Sequence, residues 1–331
     1  MGVKLSVVIP TKNRQSILKN LLSSFISQEI TDPIEFIIID QTENSITTDE
    51  LKVLKELATL VTENNDVKYY HVSNLSGLTQ ARNFGIDVAD GAIILFLDDD
   101  IILLPGFMKG ILEGFRQGFD GVSGVLFENV ADEGLIKELY TNLFFRGYIK
   151  DKRRRVYRNF HKFPTYTKSS VLSGGLVAYS KELLVKARFD ENLILYALGE
   201  DKEFSMRVSF QGAKLMICTK AIAYHMKHPV GKPNLYQHYE GKTALLRYLQ
   251  FRFSAVLKRR LTISTDWALT GTFLDAIINS MVKLTFVPVK GALSGLKKSK
   301  AGFHDLEFIK GIDTSEIAEG RKQKVKNRRK Y

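Results

Sequence analysis

Three consecutive aspartates, Asp98 to Asp100, directly follow a run of six apolar residues that ends at Leu97. Side chains alternate along an extended strand, so Asp98 and Asp100 are expected on one side and Asp99 on the other. Two carboxylates held together repel each other unless a cation or a proton lies between them, and their hard oxygens suit Mg²⁺ or Mn²⁺. A solvated acidic loop or a helix cap is the alternative, but the end of a buried strand favours the metal site.

A second acidic pair, Glu200 and Asp201, follows Gly199 and precedes a helical pattern of apolar residues. A carboxylate within reach of a hydroxyl can act as a general base, whereas acidic residues in the first turn of a helix also serve as caps. His225 ends an apolar stretch, and a histidine there is more often structural than a ligand. In combination with the acidic clusters it is a candidate third metal ligand, with His228 as the weaker alternative.

These groups need a scaffold that gathers distant strand ends, and the first 130 residues contain one. Predicted helices over 17–26, 51–61 and 78–88 separate four apolar strands, which we place at 5–9, 36–39, 67–72 and 92–97. Strands apolar on both faces and separated by helices indicate an α/β fold with a mostly parallel, covered sheet. Ligands bind outside the carboxyl ends of such strands. Polar residues follow all four: Thr11 to Arg14, Asp40, Asn74 to Gly77 and Asp98 to Asp100.

Composition and charge divide the chain into two parts. The 331 residues are 44% hydrophobic and 25% charged, which excludes collagenous and largely disordered chains, and a single cysteine, Cys218, cannot form an internal disulfide. The net charge is +12 (48 basic and 36 acidic residues), and residues 1–240 carry 29 of each. Residues 241–331 carry 19 basic and 7 acidic residues and so hold the whole surplus. We therefore expect a neutral body followed by a basic extension.

The start of the chain carries weak targeting signals. Met1 to Ser6 formally fits a myristoylation pattern, but the strand predicted from Leu5 argues against a free terminus. No long apolar run follows a basic start, so no signal peptide is expected and a cytoplasmic location is predicted, with the inner face of the cell membrane as a further option.

The basic extension has a long apolar segment with a polar stripe. Trp267 to Val289 is long enough to span a bilayer, but Gly271, Asp275, Asn279 and Lys283 recur every four residues. A charged stripe favours an interfacial or protein-packed helix, and the basic flanks at 258–260 and 297–300 favour anionic lipid. We expect residues 233–310 to be helical and to contact a membrane surface or a second copy, and 311–331 to be disordered. Nucleic acid is not an expected partner, since no stacking-aromatic motif accompanies the basic runs.

Several segments together resemble a known family. The chain is similar to the family 2 glycosyltransferases, which are inverting nucleotide-sugar enzymes of GT-A fold, over about two thirds of its length from Leu5 to His225. The matching segments are Ser6 to Arg14, Ile37 to Asp40, Gly77 to Gly85, Leu95 to Asp100, Ser173 to Gly175, Phe189 to Glu191, Gly199 to Asp201 and Ala223 to His225. The turn Gln41 to Ser45 departs from the family pattern, which leaves the shape of the nucleotide loop open.

The resemblance implies a role for each candidate residue. The nucleotide pocket would be formed by Pro10, Thr11, Asn13, Arg14 and Asp40, with Asp40 accepting a hydrogen bond from the base. Arg82 and Asn83 would approach the nucleotide or its diphosphate, and Gly174 and Gly175 the donor sugar. Asp98, Asp99 and Asp100 would form the DXD motif, in which Asp98 contacts the ribose and Asp100 holds the metal, helped by His225. Asp201 would be the catalytic base, with Glu200 supporting it or contacting acceptor.

The sequence therefore predicts a GT-A catalytic domain over 1–232, with a nucleotide-binding half over about 1–100 and an acceptor half over about 101–232. The expected reaction is metal-dependent, inverting sugar transfer, with Mn²⁺ or Mg²⁺, from a UDP or dTDP sugar to a glycan or lipid-linked hydroxyl in cell-surface polysaccharide synthesis. A catalytically silent nucleotide-sugar-binding scaffold or partner subunit is the alternative. A nucleotidyltransferase lacks support because no Gly-rich phosphate loop follows the first strand.

The basic segment 150–168 is expected to be a solvated loop over the site that could order on binding an anionic ligand.

Overall fold

The computed structural model describes residues 5–30, 33–61, 65–75, 77–127, 139–140, 143–145, 151–191, 193, 199–226 and 234–304. They divide into two compact units, the first drawn from 1–129, 151–209 and 213–231 and the second from 130–150, 210–212 and 232–331. His228 and the tail 311–331 lie outside the described residues, so the expectations for them stay predictions.

In the described residues, the first unit is built on nine strands and short connecting helices. The strands are β1 Leu5–Thr11, β2 Ile34–Asp40, β3 Asp66–His71, β4 Ile93–Leu97, β5 Ile101–Leu103, β6 Gly121–Phe127, β7 Tyr166–Lys168, β8 Leu176–Ser180 and β9 Leu215–His225. The helices that accompany them are α1 Leu18–Ser24, α2 Thr48–Val61, α3 Leu78–Val88, α4 Phe107–Arg116, α5 Arg153–Arg158, α6 Lys181–Lys186 and α7 Glu200–Gln211.

All nine strands belong to one sheet, whose order is β3-β2-β1-β4-β8-β6-β9-β5, with β7 paired to β9. Strands β1 to β4 are mutually parallel, β8 runs against β4, and β6 and β9 run parallel to each other against β8. The short strands β5 and β7 are antiparallel to β9. Most strands therefore share one direction, and the predicted mostly parallel α/β sheet with flanking helices is confirmed.

The central strands are covered on both faces, which explains their apolar sequences. Strands β1, β2 and β4 are buried at every position. Successive residues of β1 point to opposite faces, so Val7 and Ile9 join one hydrophobic cluster and Val8 joins the other. The paired register of β1 and β2 ends at Thr11 and Asp40, which places both residues at the same edge of the sheet.

In its described residues, the second unit contains a long helix that folds back on itself and a shorter helix after it. Its helix α8, Leu235–Val282, begins at an Asn234 capping box, and α9, Val287–His304, follows after a short turn. The Tyr239 hydroxyl donates to Asp275 at 2.8 Å, although the two residues are 36 positions apart. A straight helix would separate them by about 54 Å, so α8 reverses direction along its length.

Helix α9 packs very closely against the start of α8. A Cβ on Gly291 would lie 2.4 Å from the Tyr236 carbonyl oxygen, and one on Gly295 would lie 2.2 Å from that of Glu240. Only glycine allows the two helix backbones to approach to this distance.

The predicted polar stripe faces inward for part of its length. Asp275 accepts a hydrogen bond from Tyr239, and the Asn279 amide donates to the same tyrosine oxygen at 2.9 Å. The apolar run expected over 267–289 is also broken, because α8 ends at Val282 and α9 begins at Val287. Within the described residues, no helix has the length and apolar character needed to cross a membrane.

Candidate functional site

The ends of β1 and β4 are tied together by a threonine and an aspartate. Thr11 Oγ1 donates to Asp99 Oδ2 at 2.7 Å, and both side chains are buried. Burial raises the pKa of Asp99 to about 7, while the nearby Arg14 charge and the Thr11 hydrogen bond act in the opposite direction. Asp99 is therefore a structural anchor for the aspartate turn and faces inward.

The chain turns directly after Leu97, so the strand alternation expected for the three aspartates does not continue. Asp98 lies beside Arg82, whose Nη2 is 3.6 Å from Asp98 Oδ1, and the Asp98 side chain is 39% exposed. Arg14 bridges the other two carboxylates, at 2.9 Å from Asp99 Oδ1 and 3.1 Å from Asp100 Oδ2. Asp98 thus opens to solvent, and Asp99 and Asp100 share one cation.

The pairing of β5 with β9 brings a histidine to the aspartate turn. Ile101 lies opposite His225 in this antiparallel ladder, and His225 Nε2 is 3.1 Å from Asp100 Oδ1. Two carboxylates and one imidazole form a donor set that suits Mn²⁺ or Mg²⁺, so the side chains of Asp98, Asp100 and His225 fit such an ion chemically. In the part of the chain that the structure describes, no group of three His, Cys, Asp or Glu side chains is close enough to enclose a metal by itself.

Two glycines allow the loop before β8 to pass close to the carboxylates. A Cβ on Gly175 would lie 2.0 Å from Asp98 Oδ2, and a Cβ on Gly174 would lie 2.6 Å from Glu200 Oε1. The Gly175 carbonyl also accepts a hydrogen bond from the Asp98 amide at 3.1 Å. Any other residue at these positions would displace a candidate site carboxylate.

Arg82 connects the aspartate turn to the second acidic pair. This arginine is fully buried, lies against the rings of Phe96 and Phe189 and donates to Glu200 Oε1 at 2.8 Å. Burial raises the pKa of Glu200 to about 7, although the Arg82 charge opposes this rise. The first turn of α7 therefore enters the same edge of the sheet as Asp98.

The carboxylate of Asp201 is engaged on both sides. One oxygen accepts from the backbone amide of Lys202 at 2.7 Å, and the other forms an ion pair and hydrogen bond with Arg153. Arg153 also donates to Asp151 Oδ2 and to the Leu172 carbonyl, at 2.7 and 3.1 Å. Arg153 thus joins two carboxylates in one partly buried network.

The expectation of a solvated loop over 150–168 is wrong for its described part, residues 151–168. This part forms α5, a 3-10 helix over Phe160–Lys162 and strand β7. In the sequence, Arg153 stands three positions before the apolar Val156, and residues at this spacing share one face of a helix. Val156 is fully buried, so this spacing could have indicated that Arg153 points into the protein. A run of four basic residues, Lys152 to Arg155, hides this signal because such runs are usually solvated.

Three further predicted nucleotide-binding residues, Asp40, Asn83 and Asn13, are also engaged within the protein. Asp40 is buried and accepts hydrogen bonds from Gln15 and Tyr69, both at 2.6 Å, and from the Thr42 amide at 2.8 Å. Nothing in the sequence pattern pointed to Gln15 or Tyr69.

The side-chain amide of Asn83 holds the segment after α6, where it bonds both backbone groups of Phe189 and the Glu191 carboxylate. Asn13 has a left-handed backbone with φ of 57°, and its backbone amide donates to Thr42 Oγ1. Pro10 is a buried residue of β1. These contacts shape the strand-end edge, and of the predicted pocket residues Arg14 and Thr11 reach the aspartate turn.

Comparison with protein families and curated proteins gives a consistent result. The family model described as glycosyl transferase family 2 matches residues 6–187. Chondroitin synthase of Escherichia coli is 27% identical over 74% of this chain and 38% of its own length. GalNAc(5)-diNAcBac-PP-undecaprenol beta-1,3-glucosyltransferase of Campylobacter jejuni is 31% identical over 37% of both chains. The chain thus spans less than two fifths of the length of these relatives.

Among solved structures, the mannosyltransferase PcManGT from Pyrobaculum calidifontis, in complex with GDP-Man and Mn²⁺, superposes with a TM-score of 0.54. The match covers 90% of this chain and 87% of the mannosyltransferase at 13% sequence identity. At this identity the likeness concerns the fold, and it agrees with the predicted GT-A architecture.

Proposed function

Because this chain belongs to glycosyl transferase family 2, we propose that it is a metal-dependent, inverting glycosyltransferase that uses a nucleotide-diphosphate sugar. The observation that carries the proposal is the convergence of four sequence-distant segments at one edge of the sheet: the aspartate turn, the Gly174–Gly175 loop, the start of α7 and the end of β9. In the proposed enzyme they would combine a diphosphate and metal site with a carboxylate that acts as a base.

The donor site would lie over the ends of β1 and β4. Asp98, Asp100 and His225 would hold a Mn²⁺ or Mg²⁺ ion, which supplies positive charge to the diphosphate leaving group. Arg14, which pairs with Asp100 at 3.1 Å, would contact the same phosphates. The Gly174–Gly175 loop would let the donor sugar approach the backbone, and the nucleotide is proposed to be of the UDP or dTDP type.

The transfer step needs one base on the acceptor side. The acceptor oxygen attacks the anomeric carbon from the face opposite the leaving group, so the new carbon–oxygen bond forms as the bond to the diphosphate breaks. The acceptor hydroxyl proton passes to the Asp201 carboxylate, and the bonding electrons leave with the nucleoside diphosphate. Glu200, held by Arg82 at 2.8 Å, would support the acceptor, and Arg153 would orient Asp201.

The acceptor is proposed to be a hydroxyl of a glycan or of a lipid-linked saccharide in cell-surface polysaccharide synthesis, at the cytoplasmic face of the membrane. Two similarities support this class. One relative is a chondroitin synthase, and another is a glucosyltransferase whose name specifies an undecaprenol-linked saccharide.

A donor screen followed by an Asp201 variant tests this proposal. The purified chain is incubated with a panel of nucleotide sugars and Mn²⁺, and nucleoside diphosphate release is measured with saccharide acceptors. For the donor that reacts, Asp201→Asn should lower transfer by about 10²–10⁴-fold, because the general base is lost. Donor affinity, measured by calorimetry, should stay within about twofold.

Asp49→Asn is the matched control, since Asp49 is an exposed aspartate in the first turn of another helix, α2. This variant should transfer like the wild type. Full transfer by Asp201→Asn would refute the base assignment. Donor binding without turnover by the wild-type chain would instead favour the catalytically silent scaffold.

A further inference from the structure

The turn between α8 and α9 exposes an unusual concentration of large apolar side chains. Met281, Val282, Leu284 and Phe286 are 70%, 74%, 93% and 76% exposed. We propose that this turn, residues 281–287 and here named the hairpin tip, is a docking surface that inserts into an anionic lipid bilayer. The proposal concerns where the protein binds and is independent of the chemistry of the strand-end site.

The backbone of the hairpin tip favours glycine at the position that leucine occupies. The Thr285 amide donates to the Ser280 carbonyl at 3.0 Å, and the Leu284 amide donates to the Met281 carbonyl at 3.3 Å. This pair of hydrogen bonds is the Schellman motif, whose left-handed residue is usually glycine. Leu284 takes this position with φ of 49°.

Packing within the protein does not account for this leucine. Its side chain is almost fully exposed, so it gains little burial in exchange for its unfavourable backbone conformation. The left-handed backbone at this position disfavours any side chain, and the core does not contact this one. Such a side chain is suited to contacts outside the chain. Phe286, two residues further along the turn, is likewise exposed and unused by the core.

The charges around the hairpin tip complement an anionic surface. Residues 276–304 contain five lysines and no aspartate or glutamate. Lys283 and Lys290 are exposed and flank the apolar residues. The preceding acid along the chain, Asp275, is engaged by Tyr239. Exposed apolar side chains flanked by lysines are typical of segments that lie in the headgroup region of anionic membranes.

These charges also decide between a bilayer and a second copy. A symmetric dimer formed through the hairpin tip would place the same patch of both copies face to face. Lys283 and Lys290 of each copy would then approach those of the other, and residues 276–304 provide no acidic side chain to separate them, which is unfavourable. An anionic lipid surface provides the opposite charge and an apolar layer together.

Vesicle flotation with the full chain tests the docking surface. Wild-type protein should float with vesicles of phosphatidylcholine and phosphatidylglycerol and remain at the bottom with phosphatidylcholine alone. Leu284→Gly should weaken binding about tenfold or more, because a fully buried leucine is lost from the lipid. The same change relieves the left-handed backbone, so the melting temperature should stay equal or rise, which separates lost binding from lost folding.

Three further variants complete the test. Ile263→Ser removes an apolar side chain of α8 that is 61% exposed and lies 20 residues before Lys283, and this variant should bind like the wild type. Each of Lys283→Gln and Lys290→Gln should weaken binding to the anionic vesicles about fivefold.

Absence of flotation with anionic vesicles would overturn the proposal, as would equal flotation with phosphatidylcholine alone. A concentration-dependent dimer in sedimentation velocity that Leu284→Gly abolishes would also overturn it, since the hairpin tip would then cover a second copy.

Discussion

The carboxylate proposed as the base, Asp201, is held by an arginine that the sequence pattern left unassigned. Arg153 donates to Asp201, to Asp151 and to the Leu172 carbonyl. A partly buried arginine with several fixed acceptors is a rigid support, because its planar donors allow few alternative geometries. Arg153 therefore defines where the Asp201 oxygens point, and it acts on the proposed reaction through Asp201.

Arg153→Met is expected to lower kcat about 10- to 100-fold with little change in the donor KM, because a misplaced base slows proton removal without affecting donor binding. Arg153→Lys should recover part of the loss. In an Asp201→Asn background, Arg153→Met should cause no further decrease. Steady-state kinetics of the wild type, the three single variants and the double variant check this, and Arg155→Met, an exposed neighbour on α5, is the matched control. A rise in kcat for Arg153→Met would contradict the positioning role and indicate that the ion pair blocks the base.

At the scale of elements, strand pairing decides which distant residues meet. Residues 100 and 225 are far apart in the chain, and the antiparallel ladder of β5 and β9 places His225 beside Asp100. The Met226 amide also donates to the Asp100 carbonyl at 2.9 Å, which extends the pairing past the strand end. The short strand β5, which the apolar pattern did not reveal, thus fixes the geometry of the proposed metal ligands.

His225→Phe is expected to weaken Mn²⁺ binding in the presence of nucleoside diphosphate by at least about tenfold, since even an outer partner of a metal ligand contributes that much. Calorimetric titration of Mn²⁺ into the protein measures the effect. His161→Phe removes an exposed histidine of the same unit and should leave the affinity unchanged. Equal Mn²⁺ affinity for His225→Phe and the wild type would remove His225 from the metal site.

At the scale of the whole molecule, the protonation of a buried site carboxyl, that of Glu200, makes the stability of the fold depend on pH. Burial raises the pKa of Glu200 from its ordinary value of 4.5 to about 7. Between these pH values the folded chain binds more protons at Glu200 than the unfolded chain does, so the free energy of unfolding falls as pH rises. The stability that depends on protonated Glu200 is fully present below pH 4.5 and is lost by about pH 7.

Glu200→Gln is therefore expected to reduce the pH dependence of stability between about pH 5 and 7. The contribution of this carboxyl is at most on the order of 3 kcal/mol across that interval. Denaturant unfolding of the metal-free protein at several pH values measures the slope for the variant and the wild type. Glu56→Gln, an exposed glutamate of α2, should keep the wild-type slope. An unchanged slope in Glu200→Gln would mean that Glu200 ionises in the folded chain as it does in the unfolded chain.

Much of this molecule follows from local patterns in the sequence. Apolar strands such as Ile34–Asp40 and Ile93–Leu97 are buried along their whole length, and helix Leu78–Val88 matches its prediction at both ends. Burial of alternating residues is a local property, so periodicity reveals it. The polar residues that follow the strands identify one edge of the sheet for the same reason, because parallel strands end together.

Other features depended on contacts between residues far apart in the chain. The position of Arg153 against Asp201, the internal partners of Asp40 and Asn83, and the reversal within α8 each require such contacts. Leu284 shows the same limit, since its left-handed backbone and its exposure follow from how α8 and α9 end and pack. By itself the sequence determined the family, the sheet and the residue types of the site, because those depend on local order and composition. Tertiary structure alone decided which charges neutralise one another and which apolar side chains remain uncovered, because both depend on the distance between residues that the chain keeps apart.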